Sequence, residues 1–219
     1  MPKSSISALV RGVVAMPVLD LSVPAGGRTH PAETRKEPRM TSTANDAAIT
    51  RLAPLIGTWR TTGEVLDEGG RQTIGTVEGT DAYEWLGTAL ILHRVAVMMG
   101  GEQVDQLEVI GPYDHERHAL RTCAYDGASG AVEHATADVE ADGTMLFRAG
   151  SDVTRAEARI RVADDGRTMA GGWSRTVDDG ATWVPWLRMR WERQGAAVGS
   201  PERLRGVAES PMSPSDDSG

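Results

Sequence analysis

Turn chemistry constrains this chain more than any other feature. Between Gly57 and Arg193 the sequence is cut repeatedly by Glu68-Gly69-Gly70, Met99-Gly100-Gly101, Asp126-Gly127, Asp142-Gly143, Asp164-Asp165-Gly166 and Asp178-Asp179-Gly180. Glycine takes positive φ without a steric penalty, and an aspartate side chain bonds the backbone two residues on, so these pairs reverse the chain tightly. The stretches between them are short and alternate with period two rather than 3.6. About ten strand-like segments result, which predicts an all-β fold: an up-and-down antiparallel barrel.

The alternation is clearest over Arg155–Val162. There Ala156, Ala158, Ile160 and Val162 share one face and four charged residues share the other. The same reading places Trp59, Thr61, Gly63 and Val65 inward, and likewise Met169, Gly171 and Trp173. Trp183, Pro185, Leu187, Met189 and Trp191 form a further expected apolar row. Val77, Gly79, Tyr83 and Trp85 make another, with Asp81 as its polar exception. Rows that mix glycine, alanine and threonine with aromatics leave interior volume more readily than uniform leucine rows.

One segment reads as helical. Over Asn45–Ile56, Asn45 or Asp46 is the expected cap, Ile49, Leu52 and Leu55 or Ile56 give an apolar stripe, and Pro54 bends or ends it. Such a helix would plug one mouth of the barrel. Residues 1–44 have no sustained periodicity; the preferred reading is that translation begins at Met40, and the alternative is a real but disordered arm over 1–44. Residues 194–219 are rich in Ser, Pro, Asp and Gly and are expected to be a disordered tail. The barrel domain is therefore expected over residues 45–193.

Charge narrows the partners. The chain carries −8 overall, and residues 46–193 hold twenty-four acidic against fifteen basic residues. An acidic domain repels phosphate backbones, so no nucleic-acid partner is expected. No run approaches the roughly 18 apolar residues of a membrane span, so no membrane partner is expected either. The lone Cys123 precludes an intrachain disulfide and fits a reducing compartment, giving a cytoplasmic expectation. A homodimer is left open.

Gly57-Thr58-Trp59-Arg60 resembles the first-strand signature of the calycin superfamily, which includes lipocalins and fatty-acid-binding proteins. Further resemblance lies in Leu55-Ile56-Gly57-Thr58-Trp59, Tyr83-Glu84-Trp85-Leu86-Gly87, His93-Arg94-Val95, Leu107-Glu108-Val109-Ile110-Gly111 and Gly180-Ala181-Thr182-Trp183. As a set these resemble a bacterial lipocalin-like domain family with no assigned activity. The resemblance covers residues 52–193 and implies a barrel of about ten strands, but no reaction. The chain is also distantly similar to nitrobindin, a haem barrel ligated by a histidine near its end. Here the last histidine is His134, and Trp186–Trp191 supplies none, so neither haem nor any other cofactor is expected. Thr176–Trp183 resembles an Asp-box hairpin, but a single copy reads as a well-made turn.

His93 is the polar residue with most chemistry to offer. If Arg94 faces water, His93 points inward among Ile91, Val95 and Val97. It would then anchor a ligand, serve as acid or base, or be satisfied by a Tyr or carboxylate. The opposite register aims Arg94 inward, where it would hold a carboxylate as in fatty-acid-binding proteins. Alternation does not choose, because both faces carry large apolar residues. Glu84 and Glu108 are expected at solvent-facing positions, with a buried partner for His93 as the alternative.

His115-x-x-His118 reads as a polar turn without a third ligand, so no metal site is expected. With Lys3 and Lys36 both in the arm, Schiff-base chemistry is absent from the domain. Cys123 reads as packing, and Ser129 lies in a turn. The expected function is binding of a small hydrophobic or amphipathic molecule inside the barrel. Trp59, Tyr83, His93, Arg94, Tyr125 and Trp173 are the cavity candidates. The alternatives are an isomerase or hydrolase using His93 with a carboxylate, or a packed scaffold.

Overall fold

Alternation and tight turns close ten strands into a ring. The computed structural model describes residues 42–150, 155–176, 178 and 180–195. Residues 1–41 of the expected arm, Met40 included, and the tail beyond Gly195 lie outside the described residues, whereas residues 42–44 belong to the helix rather than to the arm. Helix α1 (Ser42–Thr50) and a 3-10 turn (Ala53–Leu55) precede β1 (Gly57–Leu66), β2 (Thr73–Leu86), β3 (Leu90–Met99), β4 (Glu102–Asp114) and β5 (Ala119–Asp126). Then follow β6 (Val132–Val139), β7 (Met145–Gly150), β8 (Arg155–Val162), β9 (Thr168–Thr176) and β10 (Val184–Gln194). Each strand pairs antiparallel with its sequence neighbour, and β1 also pairs with β10, so the sheet has no free edge. The expected barrel is the observed one.

The aspartates act at the turns as anticipated. Asp126 Oδ1 accepts from the Ala128 and Ser129 N–H groups at 2.7 and 2.8 Å, and Asp142 Oδ1 accepts from Thr144 at 2.9 Å. At the β9–β10 hairpin the Thr176 hydroxyl donates to Asp178 Oδ1 (2.7 Å), which also accepts from the Thr182 N–H (2.9 Å). Val177 and Asp179 of that motif lie outside the described residues. Trp183 is exposed rather than tucked beneath the turn.

The plug forms, with two corrections. The helix begins at Ser42, so Asn45 lies within it instead of capping it. Tertiary partners claim its side chain: Oδ1 accepts from the Tyr113 N–H at 2.8 Å, and Nδ2 donates to the Ala89 carbonyl at 3.3 Å. Pro54 sits in the first turn of the 3-10 segment, where its missing N–H leaves nothing unpaired. Ile49, Leu52 and Leu55 are buried as expected. Arg51 donates to the Val139 and Glu140 carbonyls on the far rim. Arg193 donates to Ile56 O, to Pro54 O (3.0 Å) and to Gly166 O (2.7 Å).

Two apolar clusters divide the interior. The larger, at the plug, gathers Leu52, Leu55, Trp59, Ile91, Ile110 and Trp191 among others. The smaller, at the other end, gathers Val65, Val77, Val97, Met99, Trp186 and Leu187. The expected Trp183–Trp191 row is broken there. The β9–β10 register shifts between Pro185 and Leu187, so Trp186 and Leu187 are both buried while Pro185 faces solvent. The β8 row follows the expected alternation, and on β9 the expected Met169, Gly171 and Trp173 are register partners of the inward Val162, Ile160 and Ala158.

Candidate functional site

Between the two clusters lies a polar centre built from the inner faces of β1–β4 and β10. The register sets Tyr83 opposite His93, and His93 opposite Glu108. Ile91 and Val97 are buried on the same strand face while Arg94 is exposed, so His93 is the residue that points inward. Its Nε2–H donates to Asp81 Oδ1 at 2.8 Å and its Nδ1–H donates to Glu108 Oε2 at 3.0 Å. Asp81 Oδ2 accepts from the Trp191 indole N–H at 3.0 Å and from the Thr61 hydroxyl. The Tyr83 ring stacks on the imidazole, with centroids 3.9 Å apart and planes 6° apart.

Two carboxylates on one imidazole decide its charge. Burial is the largest single influence on His93 and disfavours the imidazolium. The hydrogen bonds to Asp81 and Glu108, followed by their charges, together outweigh it and raise the pKa to about 9. The ring is therefore a held cation at neutral pH, and it has no lone pair to offer a metal. Burial, then the charges of Asp81 and Glu108, push the Tyr83 phenol well above its ordinary range, so it stays a neutral donor. Among the described residues no group of three or more His, Cys, Asp and Glu is arranged for a metal ion.

The centre corrects the sequence reading in several places. Glu108 was expected outward and is buried, at 9% exposure. Arg94 and Tyr125 are among the cavity candidates, but both belong to the outer face. Arg94 is exposed because its neighbour His93 occupies the inward position. Tyr125 is 43% exposed because Thr122 and Ala124 are the inward residues of β5. Glu84 is exposed as expected, and His115 and His118 are exposed in the β4–β5 turn. Trp59 is fully buried against the plug: its indole N–H donates to Leu55 O at 2.7 Å, and the Arg193 guanidinium lies 4.1 Å from the ring centroid. Asp81, Thr61 and Trp191 were not site candidates; the lone acid in an apolar row was the signal for them.

Opposite this centre one row of the wall is thin in side chains, beside the larger Leu120, Phe147 and Ile160 of the plug-end cluster. Thr122, Ala135, Ala149 and Ala156 are register partners across β5, β6, β7 and β8, a continuous row of small residues on the inner face. Trp173 pairs with Ala158 and Leu187, so it also faces inward, and it is only half-buried. Gly171 has a different origin: a Cβ there would lie 2.1 Å from the Arg159 carbonyl, so close strand approach requires glycine.

The network makes a direct prediction. Trp191→Phe keeps an aromatic ring but removes the indole donor from a buried carboxylate, together with part of a buried side chain's volume. It should cost at least about 1.5–3 kcal/mol in urea unfolding, the range for hydrogen bonds to charged groups, with the cavity adding to it. A loss below about 0.5 kcal/mol would show that Asp81 does not depend on that bond.

No family model matches the chain, and no curated protein matches it. Among solved structures it is similar to the S-type phycobiliprotein lyase CPES from Guillardia theta, at 13% identity and a TM-score of 0.49. That match covers 73% of this chain and 99% of the other. Rv2717c from M. tuberculosis is similar at 12% identity and a TM-score of 0.44, covering 67% and 97%. EF1p2_mFAP2b bound to DFHBI is similar at 15% identity and a TM-score of 0.32, covering 70% and 100%. At these values the fold rests on the strand register of this chain itself. No helix among the described residues is long and apolar enough to cross a membrane.

Proposed function

We propose that this barrel binds a small, partly apolar molecule in its interior, between the Asp81–His93–Glu108 centre and the small-residue row on β5–β8. The observation that carries the reading is a mismatch of bulk. One wall presents stacked rings and carboxylates, the facing wall presents Thr122, Ala135, Ala149 and Ala156, and the inward-facing Trp173 is only half-buried. A fully packed scaffold would bury such a residue. The plug end is fastened by Asn45, Arg51 and Arg193, so access is from the opposite end.

The alternative reading, an acid–base enzyme, draws on the contact between His93 and a carboxylate. The second carboxylate works against it. Both ring nitrogens are donors to fixed acceptors, and a held imidazolium is no base at neutral pH. His93 therefore serves as the cationic keystone of a binding site.

Filling the row tests the reading. In native mass spectrometry, the full chain purified from its own host should carry a small-molecule adduct. Ala149→Leu should fold and lose that adduct, because the added side chain occupies the row. An adduct unchanged in Ala149→Leu would place the ligand elsewhere. A stabilised Ala149→Leu barrel, with no adduct in either protein, would favour the packed scaffold.

A further inference from the structure

The interior has a sign. His93 contributes one positive charge and stands between two carboxylates, so the three groups together carry one negative charge. Asp81 is spent: its two oxygens take His93, Trp191 and Thr61. Glu108 is not spent, because only Oε2 is engaged among the described residues. A second group on the same inner face lacks a partner. Thr122 is 2% exposed, and its hydroxyl oxygen is buried with no hydrogen bond. It stands one diagonal step from Glu108, since Glu108 pairs with Ala124 and Ile110 pairs with Thr122. A buried hydroxyl left unpaired is costly, and a donor from a ligand would relieve it.

The surroundings agree in sign. Toward the rim from Glu108 the inner-face positions are Gln106 and, on the next strands, Asp126 and Glu133. Among the described residues, two arginines occupy inner-face registers. Arg193 is committed to the plug carbonyls. Arg175 pairs with Ala156 on β8, at the rim, on the wall diametrically opposite β4. Among the described residues, no basic side chain other than His93 stands at the polar centre itself.

We infer that the ligand carries a cationic, hydrogen-bond-donating head of the primary-amine class on a slender apolar body, with the head between Glu108 Oε1 and Thr122 Oγ1 and the body along Ala135, Ala149 and Ala156. An ammonium has three donors and no acceptor, which matches a carboxylate oxygen and a hydroxyl oxygen that both lack donors. A carboxylate head would meet Glu108 as a like charge, so the fatty-acid chemistry suggested by an inward Arg94 is reversed. This inference rests on the reading of the barrel as a binder.

The test compares three probes of one chain length, octylamine, octanol and octanoate, by calorimetric titration of the full chain. Octylamine should bind tighter than octanol by about tenfold or more, and octanoate weakest. Glu108→Gln should erase the preference for the amine. Thr122→Val removes the unpaired hydroxyl without changing shape. It should leave the barrel as stable or more so, and weaken octylamine severalfold while leaving octanol unchanged. Should Glu108→Gln fail to fold, Thr122→Val decides alone, and undiminished octylamine binding there overturns the head position. Octanol or octanoate binding as tightly as the amine overturns the ligand class and leaves the binder standing. An octanoate preference abolished by Arg175→Gln would move the polar head to the rim. Failure of all three probes to bind overturns this inference, while the adduct in native mass spectrometry still decides the binding reading.

Discussion

Replacing Trp59 with alanine should destabilise the barrel by roughly 3–5 kcal/mol, the range for truncating a fully packed aromatic side chain. Three contacts are lost together. The indole N–H leaves the Leu55 carbonyl, the Arg193 guanidinium loses the ring beneath it, and the plug loses its floor. Arg193 also holds Ile56, Pro54 and Gly166, so its displacement would loosen the seal beyond the cavity itself. Urea unfolding measures the effect. A loss under about 1 kcal/mol, typical of surface positions, would mean that the first strand is not anchored on the plug through this side chain.

Stability should fall as pH rises from neutrality into the alkaline range, through His93. The folded pKa of about 9 lies above the ordinary 6.5, so the imidazolium's contribution is fully present below about pH 6.5 and lost on passing through 9. The difference corresponds to about 3 kcal/mol. Tyr83 acts in the same direction, but only above pH 10, because its folded pKa is also raised. His93→Gln leaves Asp81 and Glu108 facing a neutral amide and should cost roughly 3–5 kcal/mol near neutrality. It should also flatten the pH dependence between 6.5 and 9. Urea midpoints across that window report both effects. Stability that rises with pH in the unmodified protein would contradict the ionised centre.

The fold was legible because turn chemistry is local. Asp-Gly pairs state where strands end whatever the rest of the chain does, and β8 states its inner face because charge and alanine alternate without exception. The site was legible only in part. On β3 and β4 the outer face carries Leu92, Leu107 and Val109, as apolar as the inner Ile91, Val97 and Ile110, so alternation has no contrast there. His93, Arg94 and Glu108 all fall in this stretch. Their directions are fixed by cross-strand pairing, which no single strand encodes. The Trp183–Trp191 row failed for another reason: one bulge reverses the parity of every residue before it. Asp81 alone announced itself, as a carboxylate in a row that should have excluded one.

A protonated imidazole stands fixed between two buried carboxylates and faces a row of small side chains. Nitrogen-resolved NMR of the His93 ring, titrated from pH 6 to 10 with and without octylamine, tests this most directly. The predicted result is a ring protonated on both nitrogens at neutral pH, titrating near 9, whose signals shift when the amine is added. A ring that is singly protonated at pH 7.5, titrates near 6.5 and ignores every added ligand would contradict it.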